Sequence, residues 1–218
     1  MPENLLPHLE FGAPREDAEL SVILMHGLGA DGHDFADVAQ VLSEAAEPNR
    51  WRFVLPHAPS LPVTINMGMT MPAWYDILDM SQPREVDWGT VTDSQANIEA
   101  ILASEQAPKI VLAGFSQGGA MALHVGLRHQ AAVAGVLVMS GYLLEGEQHP
   151  CPQKVAEIPI GLFHGSADPV VPLEAAQSAA STLEQAGFAH SFRTYQGMQH
   201  SVCDEEIRDV FAWLQALA

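Results

Sequence analysis

A chain of 218 residues with 48% hydrophobic positions can close one sizeable core and is too apolar to be mostly disordered. Nine basic against 27 acidic side chains leave a net charge of −18 with histidine neutral, a surface that repels phosphate backbones and argues against nucleic acid as a partner. Lysine occurs only as Lys109 and Lys154, so no polybasic tract serves a membrane surface, and no apolar run reaches the roughly eighteen residues of a spanning helix.

The opening MPENLLPHLEFG has neither the basic start nor the apolar stretch of a secretory signal. Two cysteines, Cys151 and Cys203, cannot build a disulfide framework, and a reduced, cytoplasmic setting is the expectation. Strand-like runs then alternate with amphipathic ones. Strands are expected over Leu20–Met25, Arg52–Leu55, Lys109–Ala113, Val133–Met139, Ile158–His164 and Ser191–Tyr195. Helices are expected over Asp34–Glu47, roughly Thr92–Ser104, Gln117–His129, Leu173–Gln185 and Asp204–Leu217. The runs Val22-Ile23-Leu24, Ile110-Val111-Leu112 and Val136-Leu137-Val138 are apolar on consecutive residues, as strands buried on both faces require. This alternation predicts an α/β fold, one domain over 1–218 with a mostly parallel sheet flanked by helices.

One stretch breaks the pattern. From His57 to Gly89 the chain holds four prolines and no clear period, yet carries Ile65, Met67, Met69, Met71, Trp74, Tyr75, Ile77, Leu78 and Met80. Residue type leaves two readings open: an adaptable bed for a hydrocarbon chain, or a loop folded over the core with its own cluster.

The most specific local signal is Gly114-Phe115-Ser116-Gln117-Gly118-Gly119, placed directly after one expected strand and directly before a helix. A strand turning sharply into a helix strains the serine and needs glycine at its flanks; this is the nucleophile elbow, with later partners in the order acid, then histidine. Asp168 follows the strand Ile158–His164, and His200 follows the strand Ser191–Tyr195, so Ser116, Asp168 and His200 fall on three strand-end loops in that order. An imidazole base oriented by a carboxylate is what a serine hydroxyl needs to become a nucleophile. Its oxyanion needs two backbone donors. The N–H of Gln117, first on the elbow helix, supplies one, and the N–H of Leu28, in the glycine-rich loop Met25–Gly32, is the candidate for the other.

That loop also matches a dinucleotide fingerprint, Gly27-x-Gly29-x-x-Gly32. Asp31 would set a carboxylate inside the phosphate cradle, and Leu55-Pro56-His57 lacks the acidic residue that holds a ribose, so no nucleotide cofactor is expected. The histidines His26, His57 and His164 read as hydrogen-bonding scaffold. His124 and His129 are five apart, off one helical face, and no metal site is expected.

With these residues in view, the chain resembles the carboxylesterase and acyl-protein thioesterase group, the phospholipase/carboxylesterase family of small α/β-hydrolases. The likeness runs from about Val22 to the C-terminus. It passes through His26–Gly32, Leu55-Pro56-His57-Ala58-Pro59, Met71-Pro72-Ala73-Trp74-Tyr75-Asp76, the serine turn, Phe163-His164-Gly165, Asp168-Pro169-Val170-Val171 and Met198-x-His200. The resemblance implies an α/β-hydrolase fold without a large cap, and a nucleophile at Ser116, acid at Asp168, base at His200 and oxyanion donors at Leu28 and Gln117. It also implies an acyl-binding loop over Ile65–Trp74, with Ile65, Met67, Met69 and Trp74 as substrate contacts, and a monomer or homodimer. The expected activity is hydrolysis of carboxylic esters of short to medium acyl chains through an acyl-enzyme on Ser116, with thioesters or lysophospholipid-type acyl esters as further candidate substrates. The expected substrate is a small-molecule ester or acylated compound, with no cofactor and no membrane insertion. The alternative is a catalytically silent α/β-hydrolase fold binding a hydrophobic ligand or partner, which would show a broken triad or donor loop.

Overall fold

The computed structural model describes residues 5–46, 50–81 and 84–218. Its central sheet runs in the order β1 (His8–Gly12), β3 (Trp51–Pro56), β2 (Leu20–Met25), β8 (Lys109–Phe115), β9 (Gly135–Met139), β10 (Ile160–Gly165) and β11 (His190–Tyr195). All neighbours pair in parallel except β1, which lies antiparallel against β3 at one edge.

Consecutive apolar residues in the inner strands have a simple cause: alternate side chains enter different cores. Ile23, Met25, Leu112, Val136 and Val138 pack with residues of α2 (Trp88–Ser104), α3 (Gln117–Arg128) and α4 (Leu173–Gln185). Their neighbours Val22, Leu24, Val111, Leu137 and Met139 pack with α1 (Ala36–Ala45) and α5 (Asp204–Leu217). Helices thus cover both faces, and the connections between parallel strands gather loops at one sheet edge. Residues 117 to 127 of α3 are all buried, which makes it the most enclosed helix and a rigid platform for whatever precedes it.

Several expectations need correction. The edge strand β1 is absent from the sequence reading; its half-buried, alternating pattern over five residues leaves too short a signal. The helix expected over Asp34–Glu47 starts as a 3₁₀ turn, Gly32–Phe35, capped by the Asp31 side chain, before α1 proper; its expected end at Glu47 lies outside the described residues. The second long helix begins four residues before the expected Thr92, where the Asp87 side chain accepts the Gly89 N–H as an N-cap. The stretch from His57 to Gly89 is not structureless. It folds into two small antiparallel pairs, β4 (Ser60–Val63) with β5 (Met69–Pro72) and β6 (Ile77–Asp79) with β7 (Glu85–Val86). Strands of two to four residues containing Pro62 and Pro72 are too short and too irregular for a periodicity test.

Candidate active site

Four strand ends build the site. β8 ends at Phe115 and the chain turns through Ser116 into α3. Ser116 is 7% exposed and has φ 55° and ψ −118°, a conformation that costs an L-residue on the order of 1–3 kcal/mol. Its N–H donates to Met139 O at 2.9 Å and its carbonyl accepts from Ala120 N at 3.0 Å, so β9 and the first turn of α3 impose the strain. Glycine is obligatory on either side. A Cβ on Gly114 would lie 2.2 Å from the Gly118 carbonyl carbon, and one on Gly118 would lie 2.2 Å from Met25 O.

The His200 Nε2 stands 2.9 Å from Ser116 Oγ, and its Nδ1 stands 2.7 Å from Asp168 Oδ2. The Asp168 carboxylate is buried, and its other oxygen accepts the N–H groups of Val170 at 2.8 Å and Val171 at 2.9 Å. With three fixed donors the carboxylate cannot rotate, and it presents one oxygen to the imidazole. That contact makes Nδ1 the protonated nitrogen and leaves the Nε2 lone pair toward Ser116. The Phe115 ring packs at a tilt against the His200 ring with centroids 4.8 Å apart, which restricts the imidazole further.

The buried histidines brace this centre. His164 sits 3.7 Å from Asp168 Oδ2, but its Nε2 is committed to Val171 O at 2.8 Å, and burial lowers its proton affinity. His26 is lowered by burial in the same way; Nδ1–H donates to Gly27 O at 2.8 Å and Nε2 accepts the Ala58 N–H at 3.0 Å. A neutral, doubly bonded His26 ties the end of β2 to the segment after β3 and orders the loop that carries Leu28. Among the described residues, the N–H groups of Leu28 and Gln117 meet no protein acceptor, and both residues line the cavity that holds Ser116 and His200.

This cavity encloses about 420 Å³. Ile65, Ile77, Met80 and Phe115 supply its apolar walls, and Arg84 and Asn66 its other polar groups besides Asp34. Among the described residues, one cluster has metal-ligating chemistry: Asp31, His33 and His57, with donor atoms within 4.8 Å of one another. Those atoms are already engaged. Asp31 Oδ1 accepts from the His33 N–H and faces its ring Nδ1 at 2.9 Å, while His57 Nδ1 accepts the Gly32 N–H at 3.2 Å. The cluster caps and closes the 3₁₀ turn.

The geometry agrees with comparison to known proteins. A family model described as Phospholipase/Carboxylesterase matches residues 6–218. The chain belongs to that family. Acyl-protein thioesterase 1 of Neurospora crassa is 39% identical over 201 residues, covering 86% of this chain and 82% of that protein. Acyl-protein thioesterase 1 of Gibberella zeae is 35% identical over 209 residues, covering 89% of each. Among solved structures, Arabidopsis thaliana SOBER1 superposes with a TM-score of 0.82 at 28% identity, over 92% of this chain and 99% of that one. Zea mays acyl-protein thioesterase 2 gives 0.81 at 25% identity, over 97% and 99%. The fold is therefore the α/β-hydrolase fold, as the resemblance implied.

Within this phospholipase/carboxylesterase member, the residues expected at the site separate into two groups. Ser116, Asp168, His200, Leu28, Gln117 and Ile65 come together around the cavity or its relay. Met67, Met69 and Trp74 do not line it. Met67 closes a short turn in a left-handed conformation and is 90% exposed, and Met69 is 53% exposed on the β4–β5 pair. Trp74 is fully buried; its Nε1–H donates to His26 O at 2.9 Å and its own N–H donates to Gln117 Oε1 at 2.9 Å. These bonds make Trp74 a brace of the donor loop, and the notion of an acyl chain lying along Met67, Met69 and Trp74 is corrected accordingly. The Gln117 side chain, missed by sequence reasoning, completes that brace by donating to Tyr75 O at 2.7 Å. Arg84 was missed as well; a lone arginine beside an apolar stretch was its only signal.

Proposed function

We propose that this protein is a serine hydrolase that cleaves carboxylic esters and thioesters of short to medium acyl chains through an acyl-enzyme on Ser116. The observation that supports it is the unbroken hydrogen-bond chain from Ser116 Oγ through His200 to a carboxylate held by two backbone amides. In this reading His200 Nε2 accepts the serine proton as Oγ attacks the acyl carbon. The negative charge that forms on the carbonyl oxygen falls to the N–H groups of Leu28 and Gln117, the latter backed by the dipole of α3. Collapse expels the alcohol or thiol, which takes the proton from His200. A water molecule then repeats the sequence on the acyl-enzyme, with His200 as base, and releases the acid.

The apolar walls of the cavity suit an acyl chain better than a peptide, and the names of the fungal and maize relatives bring thioesters of acylated proteins into the same class. The silent-binder alternative loses its motive, since relay and donor loop are both intact. We take the chain to act as one domain, as a monomer or homodimer and without a cofactor. The two free cysteines suit the expected cytoplasmic setting; no helix among the described residues is long and apolar enough to cross a membrane. Ser116→Ala should lower p-nitrophenyl ester turnover by about 10⁴-fold or more and abolish labelling by a fluorophosphonate. Near-normal turnover in that variant would end the assignment. A rate profile from acetyl to palmitoyl esters and thioesters fixes the preferred acyl group.

A further inference from the structure

Arg84 stands immediately before β7 and is 8% exposed. Its Nη2 donates to Val170 O at 2.6 Å, and its guanidinium carbon lies 4.4 Å from the centre of the Tyr142 ring. The Nε is buried without a hydrogen-bond partner. Among the described residues no carboxylate forms an ion pair with it. Stripping water from a cation is expensive, and buried guanidinium groups are ordinarily matched by an anion. In a chain of net charge −18, this one is left with a carbonyl and an aromatic face.

Arg84 lines two cavities. One, of about 330 Å³, also has Glu145 and Glu174 in its wall, which repel an incoming anion. The other is the cavity of Ser116 and His200, whose wall holds Ile65, Ile77, Met80 and Phe115 and, among the described residues, Asp34 as its one carboxylate.

We propose that Arg84 is a specificity-determining residue that receives a carboxylate carried on the substrate away from the scissile carbonyl. The inference rests on the esterase reading of this site. A desolvated cation in an apolar wall favours a chain ending in an anion, because a methyl-terminated chain of the same length leaves the guanidinium unpaired. Arg84 also holds Val170, whose N–H bonds Asp168, so a purely positioning role would lower the turnover of every substrate alike.

The test uses p-nitrophenyl half-esters of linear dicarboxylic acids, from adipic to sebacic, against p-nitrophenyl esters of the matching monocarboxylic acids, from hexanoic to decanoic. In wild type the half-ester of best length should have a KM at or below that of its methyl-ended twin. In Arg84→Met the ratio of kcat/KM between the twins should fall about 10- to 100-fold, through KM, and Arg84→Lys should restore part of it. Equal losses on both esters in Arg84→Met overturn the proposal. So does a wild-type half-ester KM above its twin's at every length, a result that needs no variant to fold. Failure of wild type to turn over either ester strikes the esterase reading instead.

Discussion

Gly118→Ala probes how the elbow and the donor loop are fitted together. The new methyl group would start 2.2 Å from Met25 O and 2.6 Å from His26 O, both backbone atoms at the end of β2. To reach even 3.0 Å the first contact must open by 0.8 Å, and no side chain can yield in its place. The atoms pushed away lead within three residues to Leu28, and His26 O also holds the Trp74 indole, so the displacement reaches the donor loop and its brace together. Misplacing a reacting group by about 1 Å costs roughly 10²-fold in rate, and losing one oxyanion donor costs about 10²–10³-fold. A kcat lower by about 10²-fold is therefore expected, with a stability loss of about 1–3 kcal/mol from overpacking. The assay is p-nitrophenyl ester hydrolysis below the melting temperature of the variant, beside a thermal melt. Wild-type kcat and an unshifted Tm together would refute the claim that the close approach of these backbones builds the site.

Asp168→Asn keeps the shape of the side chain but supplies a neutral amide where His200 Nδ1 needs an anion; kcat should fall by about 10⁴-fold with KM little changed, and a fall of less than about tenfold would remove Asp168 from the relay. Glu206 is fully buried in α5 with neither carboxyl oxygen completing a hydrogen bond, and burial, reinforced by the charge of Asp209 and opposed by the Cys203 backbone, pushes it up to about 8. A carboxyl whose folded value is raised keeps its proton while the unfolded chain loses it. Stability present below 4.5 is therefore lost as pH rises toward about 8, by at most roughly 5 kcal/mol at 1.36 kcal/mol per pH unit. Wild type should thus lose Tm between pH 5 and 8 and Glu206→Gln should lose less; parallel melting curves for the two would contradict a neutral Glu206.

The chemistry of this protein was largely legible before its structure, for a local reason. The elbow is specified within six residues, because only glycines at 114 and 118 let a strand, a serine and a helix meet so closely. The partners of Ser116 were recoverable because Asp168 and His200 each follow a strand by a few residues, and parallel strands deliver their loops to one edge. The sequence alone thus determined the fold class, which runs form the buried strands, and the three side chains that meet at the strand ends; the order of the strands in the sheet came from the tertiary structure. It could not place side chains of the His57–Gly89 stretch. Their positions depend on short strands paired by backbone hydrogen bonds, and on contacts reaching up to 86 residues away, as from Arg84 to Val170. Hydrophobicity told Trp74 and Met67 to avoid water equally, and only tertiary packing decided between them. The indole found two hydrogen-bond partners and a filled interior, while the methionine sits at a left-handed turn whose backbone points its side chain outward.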